Sequence, residues 1–152
     1  MADVFSQIYI QLIFTPKHRK ALISPSWEVD LHKYITGIVQ GRGHKLLAIG
    51  GMPDHIHIFI GHKPSEAISD LVREIKTSSN DFVNRNLSTN KFDWQNGYGV
   101  FSHSRSQVET VCKYILNQKE HHQKKNFRTE FEKLCEDFGI EIGKKQFFEW
   151  FD

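Results

Sequence analysis

The stretch from Gly50 to Gly61, GGMPDHIHIFIG, constrains this chain more than any other. His55 and His57 alternate with Ile56, Ile58 and Ile60. Strand side chains alternate faces, so one face carries both imidazoles and the other carries three isoleucines. β-Branched residues in alternation favour a strand over a helix. Any half-solvated strand shows the same pattern. Two imidazoles on one strand face can also converge on one divalent cation or one phosphate, and the pair alone leaves both readings open. Met52-Pro53-Asp54 reads as a turn in which Pro53 presets its own φ. That turn makes Lys45 to Ile49, KLLAI, an antiparallel hairpin partner, with a bulge expected at Gly50-Gly51.

The rest of the chain supplies elements around this hairpin. Residues 6–15, SQIYIQLIFT, alternate Ile8, Ile10, Leu12 and Phe14 against Gln7, Tyr9, Gln11 and Ile13, which predicts an opening strand. Thr15-Pro16 ends it, and Lys17-His18-Arg19-Lys20 forms a basic loop, either a solvated turn or a phosphate-contacting rim. Apolar spacing predicts a helix from Trp27 to about Gln40, capped by Ser24 or Ser26. A second helix starts after Ser65, with Ile68, Leu71, Val72 and Ile75 as its buried stripe. Residues 84–97 read as a polar loop whose Phe92 and Trp94 either anchor it to a core or stack on bases. Tyr98 to Phe101 reads as a fourth strand, Gln107 to about His122 as a helix, and Arg128 to Phe138 as another. The tail, QFFEWF, is expected to dock on the body or on a second subunit.

This order, β-α-β-β-α-β-α, resembles a ferredoxin-like α+β sandwich: an antiparallel sheet with helices on one face, plus added C-terminal helices. The isoleucine face of residues 56–60 belongs under the two crossover helices. The histidine face is left for something else to cover. The length suits one domain over residues 1–152, with a core at about 5–138 and a tail at 139–152. No apolar run approaches a membrane span and the N-terminus lacks a signal peptide's pattern, so a cytoplasmic location is expected. Cys112 and Cys135 are read as buried thiols. Residues 1–127 carry 16 Lys/Arg against 11 Asp/Glu, and residues 128–152 carry 4 against 7. A mildly basic body permits a nucleic-acid partner without demanding one.

The second informative stretch is the helix that begins at Gln107. Gln107, Tyr114, Gln118 and His121 share a flank beside its apolar stripe. Tyr114 and Gln118 are four residues apart and therefore neighbours. Alone they read as a packing tyrosine and a solvated amide. With His55 and His57 the set becomes chemically coherent. Two imidazoles and one amide oxygen can hold a metal with open positions for a phosphate oxygen. A tyrosine one turn away is then placed to attack phosphorus, provided a cation or base offsets its high pKa. Asn117 points away from the stripe and is less well aimed. Asp54 is either a turn residue or a group that orients His55. The pair His121-His122 reads as solvated.

PDHIHIF followed by YILNQ at residues 114–118 resembles the HUH single-tyrosine transposases, the small insertion-sequence transposases and their repeat-associated relatives. GHKLLAIGGMPDHIHIFI, the SDLVREIK helix and FSHS before the tyrosine helix fit as well, so the resemblance spans roughly residues 5–138. It implies a ferredoxin-like fold and a homodimer with active sites shared between subunits. It further implies that His55, His57 and Gln118 bind Mg²⁺ or Mn²⁺ and that Tyr114 is the nucleophile. The implied substrate is hairpins in single-stranded DNA, cleaved through a 5′-phosphotyrosine and rejoined by reversal. Lys17, Arg19, Lys20, Arg42 and Lys45 are expected to line one edge of the sheet and touch phosphate. A non-catalytic nucleic-acid binder of the same fold is the rival reading. No K/R-G-F/Y-G/A-F-V-x-F/Y segment of an RNA-recognition module is present.

Overall fold

In the computed structural model, residues 3–17, 22–121 and 126–140 are described. The elements are β1 (Tyr9–Phe14), α1 (Glu28–Gly41), β2 (Lys45–Met52), β3 (His55–Gly61), α2 (Ile68–Asn86) and β4 (Gly99–His103). A 3-10 turn over Arg105–Gln107 leads into α3 (Val108–Leu116), α4 (Gln118–His121) and α5 (Phe127–Asp137). The sheet order is β2-β3-β1-β4 with every pairing antiparallel, the ferredoxin-like arrangement. β1 and β3 are central, so both of their faces have to be covered.

The first face is built as its alternation dictates. Ile10, Leu12 and Phe14 of β1 join Ile56, Ile58 and Ile60 of β3 in one core. Leu31, Ile35 and Val39 recur every four residues along α1 and form a single stripe on this core, and Leu71, Ile75 and Val83 form another along α2 with Ser79 between the last two. Phe92 and Trp94 are buried in the same cluster, and Trp94 Nε1 donates to Ser79 Oγ at 2.9 Å. The loop aromatics are therefore anchors and not stacking platforms. Lys76 Nζ donates to the carbonyls of Gln95, Asn96 and Gly97 at 2.7, 3.1 and 2.9 Å, which fixes the approach to β4. Burial pulls this ammonium down to about 8.

Several local expectations are corrected. The bulge lies between Leu46 and Ala48, while Gly50 and Gly51 pair regularly with His57 and Ile56. Ser24, Ser26 and Ser65 supply no cap: Trp27 and Ala67 stand at the N-caps of α1 and α2 without a side-chain bond. The long helix expected over 107–122 breaks at Asn117, so Gln118 opens a separate short turn. His122 and the tail from residue 141 lie outside the described residues.

The second face carries Tyr9, Gln11, Ile13, His55, His57 and Phe59. α3 covers one side of it, Val111 and Ile115 packing on Ala48 and Phe59. α5 covers the other, with Phe127, Phe131 and Cys135 on Ile13 and Phe101. The histidine face is thus roofed by two helices. Gly50 sets how closely α3 approaches, because a Cβ there would lie 2.4 Å from the Ile115 carbonyl oxygen. Gly50→Ala must push α3 off the sheet. It is expected to lower unfolding free energy in urea by about 1–3 kcal/mol; unchanged stability would show that α3 is not seated through Gly50.

Candidate active site

β3 delivers two imidazoles to the middle of the second face, where neither His55 nor His57 has any exposed surface. Buried polar atoms need partners, and each ring nitrogen has one. His55 Nδ1 lies 2.7 Å from Asp54 Oδ1, and His57 Nδ1 lies 3.1 Å from Gln11 Oε1. Both of those oxygens only accept, so both Nδ1 atoms donate and both Nε2 atoms turn the other way. There they face two further oxygens. Gln118 Oε1 is 2.8 Å from His55 Nε2, and Glu130 Oε1 is 2.8 Å from His57 Nε2 and 3.7 Å from His55 Nε2. Four acceptor atoms facing one another are stable only with positive charge between them, from protons on the imidazoles or from a divalent cation. The ligating atoms of His55, His57 and Glu130 all lie within 4.8 Å of one another. Two neutral imidazoles, an amide oxygen and a carboxylate suit Mn²⁺ or Mg²⁺, so the residues present fit such an ion.

The nucleophile candidate closes the group. Tyr114 is half-buried on α3, its ring 5.9 Å from that of His57 and edge-on to it. Its hydroxyl donates to Glu130 Oε2 and lies 3.3 Å from His121 Nε2. Burial raises its pKa most, and the charge of Glu130 and the hydrogen bond to it raise it further, while a hydrogen bond with Gln118 opposes them. α4 is pinned by Lys119 Nζ, which donates to Glu28 at 2.7 and 2.9 Å and to the Gly51 carbonyl. Gln118, 1 % exposed, is thereby fixed over β3, and Asn117 faces solvent.

His55, His57, Tyr114 and Gln118 therefore meet, and within a single chain. Three further residues belong to the constellation. Glu130 was invisible in the sequence because its helix carries no motif. His121, read as solvated, contacts Tyr114; its place on the Tyr114–Gln118 flank was the available signal. Gln11 carried the same kind of hint, as a polar residue on the second face of a central strand. Gln11 Nε2 also approaches His103 Nε2 at 3.4 Å, and burial lowers the His103 pKa, which keeps an acceptor there. The basic residues among those described, Lys17, Arg42 and Lys45, do not gather on one edge. Lys17 follows the end of β1 that pairs with Ile56, whereas Lys45 pairs with Gly61 at the opposite end of β3. Arg42 is bound to Glu66, and Arg19 and Lys20 lie outside the described residues.

The family model described as "Transposase IS200 like" matches residues 4–118. The chain belongs to the IS200-like transposase family. The ISDra2 transposase TnpA of Deinococcus radiodurans is 25 % identical over 118 residues, 74 % of this chain and 84 % of the relative. A putative transposase of D. radiodurans R1 superposes with a TM-score of 0.59 at 22 % identity, over 78 % of this chain and 95 % of that one. A REP-associated tyrosine transposase bound to a REP hairpin gives the same TM-score at 15 % identity, over 80 % and 74 %. These two structures share the fold. Within this IS200-like transposase, the match takes in His55, His57, Tyr114 and Gln118 and stops before α5. Asp54 and Gln11, also inside it, orient the imidazoles. Gln11→Leu keeps the volume and removes the acceptor. It is expected to weaken Mn²⁺ affinity by roughly 10–100-fold in calorimetry, with folding intact; unchanged affinity would mean that His57 is oriented by packing alone.

Proposed function

We propose that this transposase recognises hairpins in single-stranded DNA and cleaves and rejoins the strand through a 5′-phosphotyrosine on Tyr114. The observation that carries the reading is the meeting of the Tyr114 phenol with His55, His57 and Gln118 in one buried group. A solved relative bound to a REP hairpin supports the hairpin as substrate class. We further propose Mg²⁺ or Mn²⁺ at His55, His57 and Gln118, with Glu130 the neighbouring carboxylate. When bound, the ion polarises a non-bridging phosphate oxygen and lowers the cost of a phenolate nearby.

The chain's own residues supply the rest. Asp54 and Gln11 hold the imidazoles so that both Nε2 atoms face the reacting phosphate. α3 aims Tyr114 Oη at phosphorus from one turn away. In cleavage the Tyr114 oxygen–phosphorus bond forms and the bond from phosphorus to the 3′ oxygen breaks. The phenolic proton is lost and the 3′ oxygen gains one. One phosphodiester replaces another, so the step runs backwards with a second 3′-hydroxyl and needs no ATP. Lys17 at one end of the sheet, Arg42 and Lys45 at the other, and Arg19 and Lys20, which follow Lys17 in sequence, are proposed as phosphate contacts. Lys45 borders a cavity of about 470 Å³ that Lys63 and Ser65 also line, room for one segment of strand. We propose a homodimer in which α3 and α4 dock on their own sheet, as in this chain, or exchange onto the partner's.

Tyr114→Phe tests the nucleophile. With Mn²⁺ and single-stranded hairpin DNA, the wild type is expected to form a denaturation-resistant adduct, and the variant is expected to bind but form none. Cleavage without an adduct in the wild type would point to hydrolysis by water and contradict the proposal. Mixing Tyr114→Phe with His57→Ala subunits reads the exchange. An adduct on the His57→Ala chain alone requires shared sites; none from confirmed mixed dimers means each chain uses its own.

A further inference from the structure

Glu130 stands in an unusual relation to this site. One carboxylate oxygen, Oε1, lies 2.8 Å from His57 Nε2, on the side where the ligating atoms converge. The other, Oε2, accepts from the Tyr114 hydroxyl and lies 3.4 Å from Gln118 Nε2 and from His121 Nε2. A scissile phosphate needs the same two contacts, an oxygen towards the cation site and its phosphorus beside the tyrosine oxygen. We propose that Glu130 occupies the place of the scissile phosphate, so that α5 closes the active site and single-stranded DNA must displace it. This inference rests on the proposed cleavage reaction.

Three independent observations support closure. The first is access. His55 and His57 are wholly buried, Glu130 is 5 % exposed, and the Phe127 ring lies parallel to the His55 ring at 4.2 Å. A phosphodiester with its two sugars cannot reach the imidazoles past that lid. A cavity of about 170 Å³ does reach Tyr114 and His121, but its other walls, Glu130 among them, all belong to α5, and neither His55 nor His57 lines it. The second is the division of the chain. The segment matched by the family model ends at Gln118 and already contains both histidines, the tyrosine and the amide, whereas α5 lies beyond that segment and is laid over them. The third is how α5 is held. Its apolar seat is Phe127, Phe131 and Cys135 on Ile13 and Phe101, and the buried face of the helix is completed by Glu130 itself. The inhibitory contact and the docking contact are thus the same residue. A phosphate arriving at the site competes for the partners that keep the helix down.

Displacement of α5 bares Cys135, which is 2 % exposed on that helix, while Cys112 stays on α3 against the Leu47 carbonyl. The two thiols make the closure measurable in the full-length chain. Iodoacetamide modification is followed at each cysteine by peptide mass, in free protein and in the complex of Tyr114→Phe with hairpin DNA bearing single-stranded flanks. Cys135 is expected to react about tenfold faster in the complex, as local opening controls the rate, with Cys112 unchanged. Glu130→Ala is expected to accelerate Cys135 without DNA, and Glu132→Ala, on the exposed side of the helix, is not. Cys135 equally or better protected in a complex whose wild-type counterpart forms the Tyr114 adduct overturns the closure and leaves the cleavage reading standing. If no hairpin yields an adduct, the cleavage reading fails; an unchanged Cys135 rate in Glu130→Ala then overturns the closure by itself.

Discussion

Two imidazoles buried side by side on the central strand dictate how the second face of this molecule is built. Each ring brings two polar nitrogens into the buried interior, and each nitrogen left alone there would cost on the order of 1–3 kcal/mol. The fold meets that demand from four directions. The turn before β3 gives Asp54, β1 gives Gln11, α4 gives Gln118 and α5 gives Glu130. The apolar packing arranges itself around this seam. One cluster, with Val111 and Ile115, lies under α3, and another, with Phe127 and Phe131, lies under α5. The first face has no such interruption and forms one continuous core.

The same seam explains why the site is chemically poised yet closed. The orientation of His55 and His57 leaves two lone pairs facing two oxygens, an arrangement that favours positive charge between them. Tyr114 feels the opposite influence, because Glu130 and burial both oppose a phenolate. A carboxylate there would stabilise the proposed cation at the histidines, and it opposes a phenolate at Tyr114. In the proposed closure, a phosphate diester that replaces it keeps an oxygen towards the cation and puts an electrophile before the tyrosine. On that proposal the chemistry and the closing of the site share one position.

Much of this was legible in the residues. The alternation of His55 to Ile60 gave the strand and its faces, and the helical spacing of Tyr114 and Gln118 placed both on one flank. Those are short-range patterns, and the sheet order followed from connecting them. The histidine face was expected to be covered by something else, but α3 and α5 could not be named as its cover because their docking is a tertiary fact. Glu130 carries no local signature: a glutamate in a helix beginning at Phe127 looks like any solvated charge. His121 was on the right flank, but its neighbour His122 made the pair look like a polar surface. The break at Asn117 lay beneath a continuous helical pattern. The bulge fell at Leu47, and Gly50 serves another need, the close passage of Ile115. The basic residues were close in sequence to the ends of strands, but antiparallel pairing sent Lys17 and Lys45 to opposite ends of the sheet.

The proposed chemistry depends on one cation position shared by His55, His57 and Gln118 beside the Tyr114 oxygen. Anomalous scattering from crystals of the full-length protein grown with Mn²⁺ locates that position directly. A manganese peak bounded by His55 Nε2, His57 Nε2 and Gln118 Oε1, on the side facing Tyr114, is the expected result. Manganese bound elsewhere, with these three atoms still hydrogen-bonded among themselves, would contradict it.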